Sequence, residues 1–367
     1  MNADVIVIGA GIVGAACAHE LARAGLGVLV LDAGLGGATA AGMGHLVVMD
    51  DNPAELTLSG ESLKLWHDWA PRMNADCAFS TCGTLWLAAN AAEMAEAENK
   101  QQRLKAQGIA CERMGSAALA AAEPALRGGL AGALKVGGDS VVYAPSAARW
   151  LLAQAPHAIA FEQAEAVAVE GTRVRLADGS FRSAAAVLLA GGLHAARLCP
   201  GLPLRPKKGH LAITDRYPGT VHHQLVELGY ISSAHHSEGD SVAFNVQPRP
   251  TGQLLIGSSR QFDATDPAVE APMLARMLGR ALDYLPALAG LNTIRSWTGF
   301  RAATPDSLPI IGRHPEQAGL WLAVGHEGLG VTTAPATARL LAAQITGAAP
   351  PFDGEPYGMQ RFPGTAA

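Results

Sequence analysis

The 367-residue sequence has no Cys-x-x-Cys pair and no cysteine-rich stretch. Its five cysteines (Cys17, Cys77, Cys82, Cys111 and Cys199) are scattered, which reads as reduced thiols and excludes a disulfide framework or an iron–sulfur cluster of the chain's own. No apolar run approaches the ~18 residues that span a bilayer, so no transmembrane segment is expected. The N-terminus lacks a basic segment and its apolar run opens a fold motif, so no signal peptide is expected either. Positive charge is in short supply: 27 Lys and Arg against 32 Asp and Glu give −5, with no basic footprint and hence no nucleic-acid partner. Gly-x-Ser-x-Gly and other hydrolase signatures are absent. Histidines are plentiful, with His222-His223 and His235-His236 in pairs. Nothing supplies i, i+4 ligand spacing with carboxylates, so no metal site is expected.

What is present suits a globular enzyme of two intertwined domains or one large one: 49% apolar and 16% charged residues. The most informative stretch runs from Asp4 to Gly14. An apolar run leads into Gly9, Gly11 and Gly14 at the spacing G-x-G-x-x-G, with Ile12 and Val13 opening a helical pattern that continues to Ala24. A second apolar run, Val28 to Leu31, ends at Asp32, followed by Ala33. This is the βαβ unit that holds a dinucleotide. Gly9 permits the tight turn, Gly11 admits the pyrophosphate, Gly14 lets helix and strand approach, and the helix N-terminus faces the phosphates. Asp32 can accept ribose hydroxyls. The unit alone does not choose between NAD and FAD.

Gly34 to Gly44 is a loop of small residues, read either as a flexible linker or as backbone that approaches a flat ligand. Helical spacing is read at Glu55–Trp69, Ala91–Gln107, Pro145–Ala155, Ala268–Leu285 and Val331–Thr346. Strands are read at Val167–Leu176, at Ala184–Ala190 ahead of Gly191 and Gly192, at Leu320–Val324, and as a strand end at Trp297–Arg301. Phe244–Gly257 reads as a hairpin turning near Thr251-Gly252. Nucleotide-type pieces therefore sit at both ends of the chain around a β-rich middle. The expected domains are 1–80 with 140–205 and 300–367 for the cofactor, and 81–139 with 206–299 for substrate and interface.

The last strand runs into Gly325-His-Glu-Gly-Leu-Gly330 and a helix, which makes a second helix N-terminus. Such a terminus can hold the electron-rich edge of an isoalloxazine. At this point the chain resembles the D-amino-acid oxidase-like flavoproteins, a family that includes glycine and sarcosine oxidases. The resemblance rests on Gly9–Asp32, Ala41-Gly-Met-Gly44, Ala190-Gly191, Pro248-Arg249 to Gly257, Gly299-Phe-Arg301 with Pro305-Asp306 and Pro309–Gly312, and Gly325–Gly330. Within the family, Arg205–His210, Gln247–Ser259 and Gly325–Thr333 look most like the FAD-carrying β-type subunit of D-hydroxyproline dehydrogenases and opine oxidases.

The resemblance implies an α/β chain, α+β overall: a Rossmann-like FAD-binding domain of GR2 type with an inserted, mostly antiparallel β-sheet substrate domain. It implies non-covalent FAD, since no cysteine aligns with the covalent attachment of sarcosine oxidase. Gly9 to Gly14 would hold the pyrophosphate and Asp32 the adenosine ribose. Val167 would meet adenine. Thr39, Ala40, Met43, Gly44, His45 and Leu46 would run under the flavin, with Ala190, Gly191 and Gly299 close by. His326, Glu327, Gly328, Leu329, Gly330 and Val331 would line its O2/N1 side. His45 and His210 are candidates for supporting flavin contacts.

Family chemistry moves a hydride from a substrate α-carbon to flavin N5, so no protein acid or base is required. The site does need a cation for the substrate carboxylate. By resemblance Arg301 is that residue, the competing reading being a structural arginine at the Pro305-Asp306 turn. Three departures stand out. Ala302 replaces a proline, Asn245 stands where glycine oxidase has a tyrosine, and Arg260 stands where it has a methionine, so that side of the pocket is more polar. Lys207-Lys208 suits either a flavin or substrate anion or a solvated turn. The expected activity is FAD-dependent oxidation of a D- or secondary amino acid, first of all D-hydroxyproline, with electrons passed to partner subunits or a respiratory acceptor. The expected location is cytoplasmic, extending to the inner face of the membrane. The alternatives are a stand-alone glycine- or sarcosine-type oxidase, an opine oxidase subunit, and a non-catalytic FAD-binding subunit.

Overall fold

The computed structural model describes residues 3–229 and 239–362, so the pair His235-His236 lies outside the described residues. Two large sheets organise the described chain. The first has six strands: Val5–Ile8 (β1), Val28–Asp32 (β2), Ile159–Gln163 (β8), Ala186–Leu189 (β12), Ile310–Arg313 (β18) and Leu320–Val324 (β19). Their spatial order is β18-β19-β12-β1-β2-β8, and every neighbouring pair is parallel except β18 with β19. β1 is central and buried on both faces, which is why its sequence is a continuous apolar run rather than an alternation. The helices Ile12–Arg23 and Gly330–Thr346, from opposite ends of the chain, pack against each other beside this sheet.

The second sheet has eight strands: Thr84–Ala88 (β4), Glu112–Gly115 (β5), Gly132–Val136 (β6), Arg205–Arg216 (β13), Gln224–Glu227 (β14), Ser241–Pro248 (β15), Gln253–Phe262 (β16) and Thr293–Ala303 (β17). The order is β17-β13-β16-β15-β14-β4-β6-β5, antiparallel throughout except for the pair β14 with β4. Its two faces differ. Phe244 and Val246 of β15, with Leu254 and Ile256 of β16, join Met277, Ala281 and Tyr284 of the helix Ala271–Tyr284 in one apolar cluster. Alternation then sends Asn245, Gln247 and the intervening β16 residues to the opposite face. The smaller strands are His45–Leu46 (β3) with Ser140–Val141 (β7), and a three-stranded sheet of Ala166–Glu170 (β9), Arg173–Leu176 (β10) and Phe181–Ser183 (β11).

Several expected elements shift for local reasons. The single strand expected over Val167–Leu176 is two strands, β9 and β10, separated by a turn at Gly171 (φ +64°). The helix expected from Ala268 begins at Ala271 because the Glu270 N–H donates to His210 Nε2 (3.0 Å) and Pro272 suits the first helical turn. Trp297–Arg301 belongs to an eleven-residue strand whose first three residues are exposed and so carry no burial alternation.

Candidate active site

The glycine turn is shaped by contact. A Cβ on Gly14 would lie 1.9 Å from the Gly9 carbonyl oxygen, and one on Gly9 (φ +109°) would lie 2.6 Å from the Ala190 carbonyl oxygen at the end of β12. Helix, β1 and β12 can therefore close on one another only with glycine at both places. The Ala10 N–H donates to Asp32 Oδ2 (2.6 Å) and the Gly34 N–H to Asp32 Oδ1 (2.7 Å), so this carboxylate braces the turn and keeps lone pairs for a ribose hydroxyl. No side chain caps the first helix at Gly11, although Thr39 Oγ1 accepts the Ile12 N–H (2.9 Å) and so draws the small-residue loop onto the helix start. The closing helix also has no side-chain cap, at Leu329. The two starts are neighbours: a Cβ on Gly330 would lie 3.7 Å from Val13 Cγ2. Two positive helix ends side by side, the first with only its Ile12 N–H taken up by Thr39, suit pyrophosphate at one and an anionic ring edge at the other.

The loop between them is ordered rather than a linker. Residues 38–41, with Thr39 and Ala40, form one helical turn, and Trp297 Nε1 donates to the Ala41 carbonyl (3.0 Å). Gly299 faces Ala41, and Met43 packs on Gly257, so the loop lies on the polar face of the eight-stranded sheet. Thr332 Oγ1 donates to the His45 carbonyl (2.9 Å), tying β3 and buried Leu46 to the closing helix. His45 Nε2 is a buried atom with no hydrogen-bond partner among the described residues, and burial followed by the Arg249 charge pushes the ring's pKa down to about 4. The glycine cradle, the paired helix N-termini and this unfilled nitrogen fit the FAD implied by the resemblance. The His326 ring is buried: its Nε2 meets Thr337 Oγ1 (3.1 Å) in the closing helix, and burial lowers its pKa to about 3. Val331, the second residue of the closing helix, accepts a hydrogen bond at its carbonyl from Trp66 Nε1 (3.0 Å). Ala33 and Gly191 follow the ends of β2 and β12, and Val167 lies exposed on β9.

The cations gather on the polar face of the second sheet. Lys207 and Arg301 are direct cross-strand partners. The Arg301 side chain crosses β13 over Gly209, where a Cβ would lie 2.9 Å from Nη1, and Nη1 donates to the Ser259 carbonyl on β16 (3.2 Å). Only a residue without a side chain at 209 permits that path. A Cβ on Gly328 would lie 3.4 Å from Arg301 Nε, which places the arginine directly against the loop 326–331. The Pro305-Asp306 turn does not need Arg301: Arg361 Nε holds Asp306 at 2.7 Å.

Glu327 holds a left-handed backbone (φ +46°) that few non-glycine residues adopt, and its N–H donates to the Ala302 carbonyl (3.0 Å). Its carboxylate accepts from Lys207 Nζ (2.5 Å). Burial works to raise the Glu327 pKa, but Lys207, Arg260 and Arg301 outweigh it and hold the group ionised. Burial lowers the pKa of both Lys207 and Arg301, and that of Arg260 falls to about 10, with Glu327 resisting and the Arg301 charge adding to the fall. Asn245 lies one strand further along, and its Oδ1 is buried without a partner among the described residues. Gln247, two positions on, is fully buried with both side-chain polar atoms unpartnered among them. It carries no motif, though its two-residue spacing from Asn245 on a strand places it on the same face.

Other candidates lie elsewhere. Lys208 and His210 point to the helix-covered face, where Lys208 Nζ meets Glu270 Oε1 (2.7 Å) and His210 Nδ1 meets Ser259 Oγ (2.9 Å). His210 therefore lies on the opposite face from Arg301 and Lys207. His222 and His223 give their N–H groups to buried Glu123, a structural clamp.

The family model described as FAD dependent oxidoreductase (DAO) matches residues 4–344. A glycine oxidase from Pseudomonas aeruginosa is 27% identical over 97% of this chain and 98% of its own length. An opine oxidase subunit from Rhizobium meliloti is 31% identical over 48% of this chain and 43% of its own. The crystal structure of glycine oxidase from Geobacillus kaustophilus superposes with a TM-score of 0.87 at 25% identity, covering 98% of this chain and 99% of that one.

Proposed function

This chain belongs to the FAD dependent oxidoreductase (DAO) family and is an FAD-dependent amino-acid-oxidising enzyme, and from that premise we propose that its substrate is a D-configured or secondary amino acid with a further polar substituent. D-hydroxyproline is the first candidate. The observation that carries this reading is the Arg301 guanidinium, stretched over Gly209 against the loop 326–331. There it grips the substrate carboxylate with two parallel hydrogen bonds and sets the α-hydrogen toward the flavin. FAD held there would supply the acceptor for that hydride. Asn245 and Arg260 meet the additional polar group. Residues 1–80, 140–205 and 300–367 carry the cofactor, held non-covalently, and residues 81–139 and 206–299 shape the substrate side.

We further propose that electrons leave through partner subunits to a respiratory acceptor at the cytoplasmic side of a membrane, a reading supported by the similarity to the opine oxidase subunit. No helix among the described residues is long and apolar enough to cross a membrane. A second reading, a stand-alone oxidase, is favoured by the match to glycine oxidase over nearly both full lengths. Anaerobic titration of the yellow protein with D-amino acids, prolines and N-substituted glycines tests the function: bleaching of the flavin band is expected, and no bleaching with any of them would falsify it. Hydrogen peroxide formed at full turnover by the isolated chain would select the stand-alone reading.

A further inference from the structure

Glycine stands at positions 325, 328 and 330 of the loop ahead of the closing helix, yet the left-handed backbone at 327 (φ +46°) belongs to a glutamate. Glycine adopts that conformation at less cost, so the reason for a glutamate there lies in its side chain. One carboxylate oxygen, Oε1, accepts from Lys207 Nζ (2.5 Å). The other accepts no hydrogen bond from the described residues and is not sealed from solvent. Arg301 lies against the same stretch. A Cβ on Gly328 would be 3.4 Å from its Nε, and the Glu327 N–H donates to the carbonyl of Ala302 (3.0 Å), the next residue along the strand. Among the described residues these two neighbours of opposite charge nevertheless form no ion pair. Lys207 holds the carboxylate and the Ser259 carbonyl holds Arg301 Nη1 (3.2 Å), so each keeps hydrogen-bonding capacity for something else. An anion and a cation hanging from one carbon atom match that arrangement.

We infer that Glu327 is the recognition residue for the substrate's ammonium group, and that Lys207 keeps the Glu327 carboxylate off Arg301 so that both charges are open to one amino acid. The inference rests on the placement of the substrate carboxylate on Arg301 proposed above. It divides selectivity between two residues. Arg301 admits small carboxylic acids in general, and Glu327 narrows them to those with a cationic nitrogen on the α-carbon. Lys207, Arg260 and Arg301 hold Glu327 ionised, which suits it to binding an ammonium rather than to keeping its proton. The ammonium therefore releases one proton to water, the α-carbon gives its hydride to the flavin, and a protonated imine results.

A matched pair of ligands tests this on the FAD-loaded enzyme. α-Methyl-D-proline and α-methylcyclopentanecarboxylate both lack an α-hydrogen, so neither is oxidised in this way. They differ only in a ring ammonium against a ring methylene. Calorimetry should show α-methyl-D-proline binding at least about tenfold more tightly, as expected of one charge-assisted hydrogen bond. In Glu327→Gln that preference should shrink to under about threefold, with Glu327→Asp between, because aspartate keeps the charge at a shorter reach. The double variant Lys207→Met with Glu327→Gln removes the pair as a unit and leaves no unpaired lysine to repel the ligand. It should show the same loss. Equal binding of the two ligands by the unaltered enzyme, or binding of neither, overturns the inference without any variant. A preference that survives both Glu327→Gln and the double variant, in protein with normal FAD content, overturns it as well. If amino acids bleach the flavin while the preference is absent, the proposed oxidation stands and the role of Glu327 falls. If the preference depends on Glu327 but no amino acid bleaches the flavin, the ammonium site stands and the proposed oxidation falls.

Discussion

Lys207 and Lys208 are adjacent in sequence, both buried, and both paired with a glutamate, yet they belong to different parts of the molecule. Lys207 faces the loop that precedes the closing helix and meets Glu327. Lys208 faces the helix Ala271–Tyr284 and meets Glu270 just ahead of it, beside His210 and Gln261. The strand's two-residue period makes this division, and it separates the roles of the sheet's faces. One face is apolar at its centre and holds the sheet to its helix. The other bears amide atoms without partners among the described residues and gathers Lys207, Arg260 and Arg301 around Glu327, an arrangement that stability alone would not select. Substitutions on the two faces should accordingly register in different measurements.

The strongest contrast comes from Arg301→Ala. Loss of a charge-assisted carboxylate pair costs about 1.5–3 kcal/mol, so kcat/KM for the best amino acid should fall roughly ten- to a hundredfold, mainly through KM, with FAD content unchanged. An unchanged KM removes Arg301 from the substrate contact. Lys207→Met ranks next. It frees Glu327 to pair with Arg301 and so competes with the substrate carboxylate, and steady-state kinetics should show KM raised by about tenfold.

Acid sensitivity is the third test. His45 and His326 have folded pKa values pulled by burial to about 4 and about 3, below the ordinary 6.5. The folded protein refuses protons that the unfolded chain binds, so these groups favour folding above pH 6.5 and lose that contribution as pH falls from there toward 4. Urea midpoints measured between pH 7 and 5 should decline, and His326→Gln should flatten the decline. An identical slope in that variant would rule His326 out as a source. Lys208→Met should do least. Its partner Glu270 is itself well exposed, so the stability change should stay within about 1 kcal/mol and kinetic constants should hold. A KM shift as large as that of Lys207→Met would erase the distinction between the faces.

The cofactor end of the fold is legible because its signals are local. Gly9, Gly11, Gly14 and Asp32 lie within one βαβ unit, and Leu320–Val324 with Gly325–Gly330 is a strand, a turn and a helix start in immediate succession. The middle is less legible because its pairings are long-range. β4 is a short apolar run whose neighbours are β14 and β6, the former about 140 residues away in sequence. Periodicity cannot tell such a run from a turn of buried helix. The sidedness of Lys207 and Lys208 depends on the register of β13 with β17, which no short pattern encodes. The Arg301 position can be named from its motif, but not the empty space above Gly209 that its guanidinium occupies. Glu327 can be placed on its loop, but its left-handed backbone and its turn toward Lys207 arise from contacts with a distant strand.

With Arg301 as the proposed carboxylate anchor, its crossing over Gly209 separates the residue that binds from the residue that aims. A methyl group at position 209 would displace the guanidinium tip, and with it the proposed anchor point for the substrate. Redesign of what this enzyme accepts therefore has a handle outside the cavity lining. Altering Gly209 would reposition the anchor as a whole, a coarse adjustment, while changes at Arg260 or Asn245 would trim what fits around it.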